Sequence, residues 1–282
     1  MQTIPFEGAS FGADVLDVEI GALDEAAFAE VHAAWLDRAV LRFRDQRLDR
    51  EALQTFSQRF GPLEYAPFGR ITPEELAKIP HPYVTVISNI VENGRPIGGL
   101  GAAEAKWHTD MSYIERPPTA SILYAVEVPP VEGDTHYCSM IGALEALPAA
   151  LAERARQVRI KHDAAHDSIG KLRRGHRDVD DPREAPGAYH PMVLRHPETG
   201  RDALYLGRRQ DAYVDGLPLD ESEALLDEIW RHVALPGDTW TQQWRVGDLV
   251  IWDNRTVMHR RAAFDPNCRR LMLRTQVRQE AA

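Results

Sequence analysis

Short runs of β-branched and aromatic residues recur along this chain, and they constrain its fold more than any other feature. From Tyr83 onward they are separated by Gly, Pro, Asp and Asn, and they are YVTVISNI, TASILYAVEV, DTHYCSM, YHPMVLRH, DALYLG, GDLVIWDN and RRLMLRTQV. Such runs are typical of β-strands, and many short strands with few helices between them are typical of a sandwich or jelly roll. The pattern therefore predicts a mainly β protein with flanking helices.

The flanking helices are predicted from apolar periodicity and from capping residues. They lie over residues 24–37 and 49–61, from residue 72 onward, and over 219–233. Asp24 and Asp220 are the expected N-caps of the first and last of these helices, because a short polar side chain can accept from the free backbone N–H groups there. The second helix is expected to close at Gly61.

Length and charge bound the class of protein. A chain of 282 residues with 44% hydrophobic and 27% charged residues is expected to form a single globular domain over 1–282. Its 33 Lys and Arg against 43 Asp and Glu give a formal net charge of −10. That balance argues against nucleic acid as a partner, which requires a basic surface. A small anionic substrate remains compatible, because a few buried arginines can reverse the local potential.

The cellular location is predicted from what the sequence lacks. Its two cysteines, Cys138 and Cys268, are far apart, which predicts a reduced protein without a disulfide framework. The first residues show neither a basic segment nor an apolar one of the signal-peptide kind. No apolar run approaches the length of a membrane span. We therefore expect a cytoplasmic protein that does not interact with membranes.

The stretch KWHTDMSY sets His108 and Asp110 two residues apart. On a strand, such side chains leave from the same face, roughly 7 Å apart, and can converge on one cation. A third ligand is available in WDNRTVMHRR, which carries His259. Two histidines and one carboxylate on one side of a metal leave the other side open, as in non-haem Fe(II) oxygenases. The plainer alternative for His259 is a hydrogen-bonded core histidine.

Two arginines follow on the predicted last strand. Arg270 and Arg274 would share one face with Met272. Guanidinium groups on a buried strand face are costly unless anions meet them, and arginine suits a bidentate grip on a carboxylate. The pattern indicates a co-substrate with a remote carboxylate. The alternative for Arg270 is an ion pair with one of the many carboxylates of this acidic protein.

The motifs WHTDMSY, PPVEGDT, WDNRTVMHRR and RRLMLRT occur in the order in which they are found in a known family. With them, and with weaker similarity over nearly the whole chain, the sequence resembles the taurine dioxygenase/TfdA-like Fe(II)- and 2-oxoglutarate-dependent dioxygenases. The resemblance implies a double-stranded β-helix, or jelly roll. It implies that His108, Asp110 and His259 bind Fe(II). It implies that Thr135 and Arg270 hold the distal carboxylate of 2-oxoglutarate.

The implied reaction hydroxylates a small organic substrate, and thereby can cleave it, while 2-oxoglutarate and O2 become succinate and CO2. We expect the substrate to be anionic, a carboxylate or a sulfonate, with Arg274, Tyr113 and Arg208 as candidate contacts. Two irregular segments, residues 91–106 and 166–187, are expected to be active-site loops. Members of the family often form dimers or tetramers, so a homo-oligomer is expected too.

Two other functions compete with this interpretation. The stretch HDAAH, with His162 and His166, imitates the H-E-x-x-H pattern of zinc hydrolases and would place both imidazoles on one face if it were helical. A jelly-roll binding protein without catalytic activity is the second alternative.

Overall fold

The structure is a computed structural model that describes residues 1–67 and 71–279, and it is mainly β. Its strands are β1 (Gln2–Pro5), β2 (Ala13–Leu16), β3 (Val40–Phe43), β4 (Thr85–Ser88), β5 (Val91–Glu92), β6 (Arg95–Pro96), β7 (Gly99–Leu100), β8 (Ala105–His108), β9 (Ala120–Glu127), β10 (Thr135–Ser139), β11 (Arg159–Lys161), β12 (Tyr189–Pro191), β13 (Val193–Arg195), β14 (Asp202–Leu204), β15 (Tyr213–Val214), β16 (Thr239–Gln242), β17 (Leu249–Asp253), β18 (Val257–Arg261) and β19 (Leu271–Val277). Its helices are α1 (Glu25–Arg38), α2 (Arg50–Gln58), α3 (Pro73–Leu76), α4 (Met140–Glu145), α5 (Ala149–Arg156) and α6 (Leu219–Trp230), with short 3-10 turns at Ile20–Ala22 and Pro182–Glu184.

Two sheets face each other across a buried layer. The larger has the strand order β1-β2-β3-β17-β9-β19-β4-β7, and the smaller has the order β16-β10-β18-β8. Side chains alternate across β17, where Val250 and Trp252 join the layer between the sheets while Leu249 and Ile251 point to the opposite face. From the smaller sheet, Tyr137 enters the same layer. This alternation follows from the two-residue period of a strand.

Helices cover the outer faces of both sheets. On the larger sheet, Trp35 of α1 and Phe56 of α2 pack with the outward side chains of β17. On the smaller sheet, Met258 of β18 packs with buried residues of α4, α5 and α6, such as Leu225. The layer between the sheets is therefore shielded from water on both sides. In the residues described, no helix combines the length and the apolar character needed to cross a bilayer.

The predicted helix starts are correct at three places and wrong at a fourth. Asp49 caps α2 by accepting a hydrogen bond from Ala52 N at 2.8 Å. Asp24 accepts a hydrogen bond from Ala27 N at 2.8 Å and so caps α1. Thr72 begins α3 with a capping box. The assignment of Asp220 as the cap of α6 is wrong, because Pro218 occupies that position and Asp220 lies within the first turn. There its carboxylate still favours the helix through the dipole.

Two helices were not predicted from the sequence, and a third ends earlier than expected. The helices α4 and α5 follow β10 directly within the stretch SMIGALEALPAALAERAR. Ser139 caps the first by accepting from Gly142 N at 3.1 Å. The helix α2 ends at Gln58, before Gly61. The apolar side chains of α4 and α5 pack under the smaller sheet, so tertiary burial favours these short helices more than local pattern does.

Candidate active site

Adjacent strands of the smaller sheet bring His108 and His259 together. The strands β8 and β18 are antiparallel, and these two residues are directly opposed in their register. Their ring centroids lie 4.2 Å apart. His108 Nδ1 is 2.7 Å from the carbonyl oxygen of Lys106. That nitrogen therefore donates its proton to the backbone, which leaves Nε2 free to bind a cation.

Asp110 reaches the same point from a turn. Strand β8 ends at His108, so the prediction that both residues lie on one strand is wrong. The turn nevertheless brings Asp110 Oδ1 to 3.7 Å from His108 Nε2. One ligand atom from each of His108, Asp110 and His259 lies within 4.8 Å of the others, and all three residues are buried. Two imidazoles and a carboxylate this close together are suited to a divalent transition metal.

The charges at this cluster favour metal binding at neutral pH. Burial would raise the pKa of the Asp110 carboxyl, but the Arg274 guanidinium, followed by the two imidazoles and Ser121, holds that pKa well below its usual range. Burial, with His108 next to it, lowers the pKa of His259 to about 3, and burial lowers the pKa of His108 as well. A cation therefore meets an ionised carboxylate and two neutral imidazoles.

Ser121 orients the carboxylate of Asp110. Its hydroxyl donates to Asp110 Oδ2 at 2.8 Å and accepts from Asn254 Nδ2 at 3.0 Å. Gln276 Nε2 lies 3.3 Å from the same hydroxyl. Because the two amides occupy its acceptor sites, the hydroxyl proton is directed at Asp110. No local motif marks Ser121, which lies on β9 far from the ligands in sequence.

Removing this hydroxyl is expected to weaken metal binding. We expect Ser121→Ala to lower the affinity for Mn(II) or anaerobic Fe(II) by roughly 10- to 100-fold, as is typical when an outer hydrogen-bond partner of a ligand is lost. Titration calorimetry measures this directly. Ser57→Ala is the matched control, since Ser57 is an equally buried serine bonded to Leu53 and Thr275 outside the cluster. Equal metal affinities in the two variants would contradict the role of Ser121.

A buried cavity opens beside the three clustered residues. We call it the inner cavity, and the side chains that line it include His108, His259, Thr135, Arg261, Arg270, Arg274 and Trp252. Thr135 Oγ1 accepts from Trp244 Nε1 at 2.9 Å, so its hydroxyl hydrogen can be donated to a ligand.

Arg270 is the most deeply buried guanidinium of this cavity. It is 2% exposed, and burial followed by the proximity of Arg261 lowers its pKa to about 9. Its side chain forms no hydrogen bond or ion pair within the described residues, where its Nε is buried without a partner. The alternative of an ion pair with a protein carboxylate is therefore not observed there. A buried cation in this state is stabilised by an anionic ligand.

A larger cavity, the outer cleft, adjoins the inner one and has a volume of about 740 Å³. The two cavities adjoin at Ile87, Leu100 and Arg274, which line both. Tyr113 lines the outer cleft, and the Arg173 guanidinium lies 4.0 Å from the centre of its ring. The segments 91–106 and 166–187 both contribute to the lining of this cleft. Arg173 was not singled out from the sequence, because it is one of many charged residues in its segment.

Arg274 lines both the inner cavity and the outer cleft. Its Nη1 donates to Asp110 Oδ1 at 3.1 Å. Its Nε is buried without a partner among residues 1–67 and 71–279. The guanidinium therefore keeps hydrogen-bonding capacity for a ligand beside the metal ligands.

Arg208 occupies a different environment from the other candidate residues. Its Nη2 donates to the carbonyl oxygens of Asp163 at 2.8 Å and His166 at 2.6 Å. It also contacts the Asp167 carbonyl. These contacts fasten the start of the segment 166–187, and the residue is not part of the lining of either cavity. The geometry favours a structural role for Arg208.

The HDAAH stretch is not helical, so His162 and His166 do not share a helix face as the zinc-hydrolase pattern requires. His166 Nδ1 lies 3.0 Å from Asp163 Oδ2, and its Nε2 lies 2.9 Å from Asp178 Oδ1. These carboxylates raise the pKa of His166, although burial opposes them as the largest single effect. His162 points elsewhere and stacks on Tyr205, with ring centroids 5.3 Å apart.

Comparison with known proteins gives a consistent result. The family model described as taurine catabolism dioxygenase TauD, TfdA family, matches residues 2–276. An (S)-phenoxypropionate/alpha-ketoglutarate-dioxygenase of Sphingobium herbicidovorans is 31% identical over 95% of this chain and 92% of its own length. An alpha-ketoglutarate-dependent 2,4-dichlorophenoxyacetate dioxygenase of Cupriavidus pinatubonensis is 31% identical over 96% of both chains.

A solved structure agrees with these sequence relatives. The crystal structure of AAD-2 in complex with Mn(II) and N-oxalylglycine superimposes with a TM-score of 0.79 at 25% identity, over 100% of this chain and 99% of that one. The family match spans almost the whole chain, as predicted from the four motifs. The chain therefore belongs to the TauD/TfdA family and is an Fe(II)- and 2-oxoglutarate-dependent dioxygenase.

Proposed function

We propose that His108, Asp110 and His259 are the Fe(II) ligands of this enzyme. The single observation that carries this proposal is the approach of their three ligand atoms to within 4.8 Å in a buried site. Bound there, iron would supply the activation of O2 that couples conversion of 2-oxoglutarate to hydroxylation of the substrate. The chain itself supplies the orientation of the ligands, through the Lys106 carbonyl and Ser121, and the exclusion of bulk water.

Thr135 and Arg270 are proposed to bind the distal carboxylate of 2-oxoglutarate. Both line the inner cavity together with the two histidines. A hydroxyl with a free hydrogen and a guanidinium without a protein partner in the described residues are complementary to one carboxylate. In a buried site each such charge-assisted hydrogen bond is roughly twice as strong as a neutral one.

The substrate is proposed to be a small organic carboxylate or sulfonate, bound in the outer cleft by Arg274 and Tyr113. Three guanidinium groups line the inner cavity. Only one carboxylate of the described residues, that of Asp110, accepts a hydrogen bond from any of them, the guanidinium of Arg274. This excess of positive charge favours an anionic substrate in addition to a dianionic co-substrate. The names of the two curated relatives, which act on phenoxypropionate and 2,4-dichlorophenoxyacetate, support a carboxylate.

Further features of the proposal concern the whole chain. The two facing sheets support a double-stranded β-helix, or jelly roll, and a single domain over 1–282. The segments 91–106 and 166–187 are proposed as active-site loops, since both contribute to the outer cleft. A homo-oligomer and a cytoplasmic location remain predictions.

Substrate-dependent formation of succinate tests the proposed function. The purified enzyme with Fe(II), ascorbate and 2-oxoglutarate is incubated with aryloxyalkanoic acids, alkyl carboxylates, sulfonates and their neutral amides or esters. We expect succinate above the substrate-free background with members of an anionic series and not with the matched neutral compounds. Succinate formation that is equal for the acid and its neutral amide would contradict the substrate class.

Arg274 is expected to control the affinity for the anionic substrate. Arg274→Gln should raise the KM for the acid by roughly 10- to 100-fold, the effect of losing one charged hydrogen-bond pair. It should also uncouple 2-oxoglutarate consumption from product formation. Binding of the neutral amide of the same acid, measured by titration calorimetry beside that of the acid, is the matched comparison, because it should not change. An equal effect on acid and amide would assign Arg274 to the support of Asp110 alone.

A further inference from the structure

Arg261 is a second buried arginine beside the proposed co-substrate site. It follows His259 by two positions on β18, so both side chains leave the strand on the inner face. It is 6% exposed and lines the inner cavity. Its register partner on the neighbouring strand β10 is Thr135. Directly opposed residues of antiparallel strands have Cβ atoms about 4.5–5.5 Å apart. The Cβ of Arg261 therefore lies next to Thr135, whose hydroxyl is proposed to bind the carboxylate.

The guanidinium of Arg261 also approaches the Arg270 site. Its Cζ lies 5.4 Å from the centre of the Phe264 ring, and the Cζ of Arg270 lies 5.9 Å from the same centre. Arg261 has no ion pair, and its Nε is buried without a partner, in the part of the chain that the structure describes. Two guanidiniums against one buried ring repel each other unless an anion lies between or beside them.

The remaining contacts of Arg261 reach the segment 91–106. Its Nη2 donates to the carbonyl oxygen of Leu100 at 3.1 Å, and it also contacts that of Ala103. Leu100 in turn lines both cavities. Arg261 thus connects the cavity beside Thr135 with the backbone of a segment that borders the outer cleft.

We infer that Arg261 is a second anion-binding residue for the distal carboxylate of 2-oxoglutarate, and that it fixes residues 98–104 beside the bound co-substrate. The inference rests on the proposed function and deepens it. The carboxylate neutralises the repulsion between Arg261 and Arg270, so its binding stabilises Arg261 in the position that holds the Leu100 and Ala103 carbonyls. Co-substrate binding therefore orders one wall of the cleft that receives the substrate.

Binding experiments without turnover test this inference. The Mn(II)-loaded protein is titrated calorimetrically with 2-oxoglutarate and with 2-oxobutyrate, a 2-oxo acid without the distal carboxylate. We expect Arg261→Ala to weaken 2-oxoglutarate by about 10- to 100-fold, the effect of losing a charged hydrogen-bond partner, and to leave 2-oxobutyrate unchanged. Arg261→Lys keeps a cation but lacks the planar guanidinium, so its affinity for 2-oxoglutarate should lie between those of the wild type and Arg261→Ala.

Arg260→Ala is the matched control. Arg260 precedes Arg261 on the same strand but contacts Glu104 at the surface, with an Nη1–Oε1 distance of 3.0 Å. The Arg260→Ala variant should bind both 2-oxo acids with the affinities of the wild type. Hydrogen exchange gives a second measurement: 2-oxoglutarate should protect amides 98–104 in the wild type and in Arg260→Ala, but not in Arg261→Ala.

The possible outcomes separate the inference from the proposed function. Equal weakening of both 2-oxo acids in Arg261→Ala, or no weakening of either, would overturn the role of Arg261 while leaving the role of Arg270 intact. A wild type that binds 2-oxoglutarate no better than 2-oxobutyrate would overturn the proposed carboxylate site itself, and the inference with it.

Discussion

Asp110→Ala is expected to abolish iron-dependent turnover. The substitution removes the anionic ligand from the cluster and also removes the partner of Arg274, so a cation would meet two neutral imidazoles and an uncompensated guanidinium. Metal affinity should fall by more than the roughly 100-fold that the loss of an outer partner can cause. Succinate formation with the best substrate, together with Mn(II) calorimetry, measures both effects.

The shape-matched variant Asp110→Asn separates charge from packing in this experiment. Its side-chain oxygen can still accept from Ser121, but it carries no charge. We expect a loss of metal affinity close to that of the alanine variant, with thermal stability near that of the wild type. Persistent iron-dependent succinate formation in Asp110→Ala would show that Asp110 is not a ligand.

Arg270→Ala is expected to act on the co-substrate. Removing one partner of a buried charged pair typically costs 3–5 kcal/mol, so the KM for 2-oxoglutarate should rise by at least about 100-fold. The kcat at saturating co-substrate should change less, because the metal ligands remain. Initial rates of succinate formation at varied 2-oxoglutarate concentrations measure the two parameters.

The neighbouring residue provides the control for this prediction. Arg269 is exposed and pairs with Glu127 through its Nε at 2.7 Å. Arg269→Ala should therefore leave both kinetic parameters unchanged. An unaltered KM for 2-oxoglutarate in Arg270→Ala would remove Arg270 from the proposed carboxylate site.

The strands could be predicted because their signal is local. The alternation and the β-branched content of GDLVIWDN and RRLMLRTQV correspond to β17 and β19 in the structure. The helices α4 and α5 were missed, because their apolar residues pack against strands that lie far away in sequence. Asp220 was misassigned as a cap, since Pro218 two residues earlier ends the preceding segment and begins the helix.

Some residues of the candidate site could likewise be predicted from local sequence, and others could not. The spacing of His108 and Asp110 and the motif around His259 drew attention to residues that the structure brings together. Ser121 could not be found, because its role depends on the pairing of β9 with its neighbours. Arg261 carried a usable signal, the two-residue period that puts it on the same face as His259, yet its position opposite Thr135 depends on strand register. Register is fixed by packing and turns, so one sequence does not reveal it.

An anaerobic absorption titration tests the claim that His108, Asp110 and His259 form an iron site that accepts 2-oxoglutarate. Adding Fe(II) and 2-oxoglutarate together to the wild type should produce a weak visible metal-to-ligand charge-transfer band, which neither component produces alone and which Asp110→Ala lacks. If the wild type shows no band at saturating concentrations of both, or if Asp110→Ala shows the same band, the claim is contradicted.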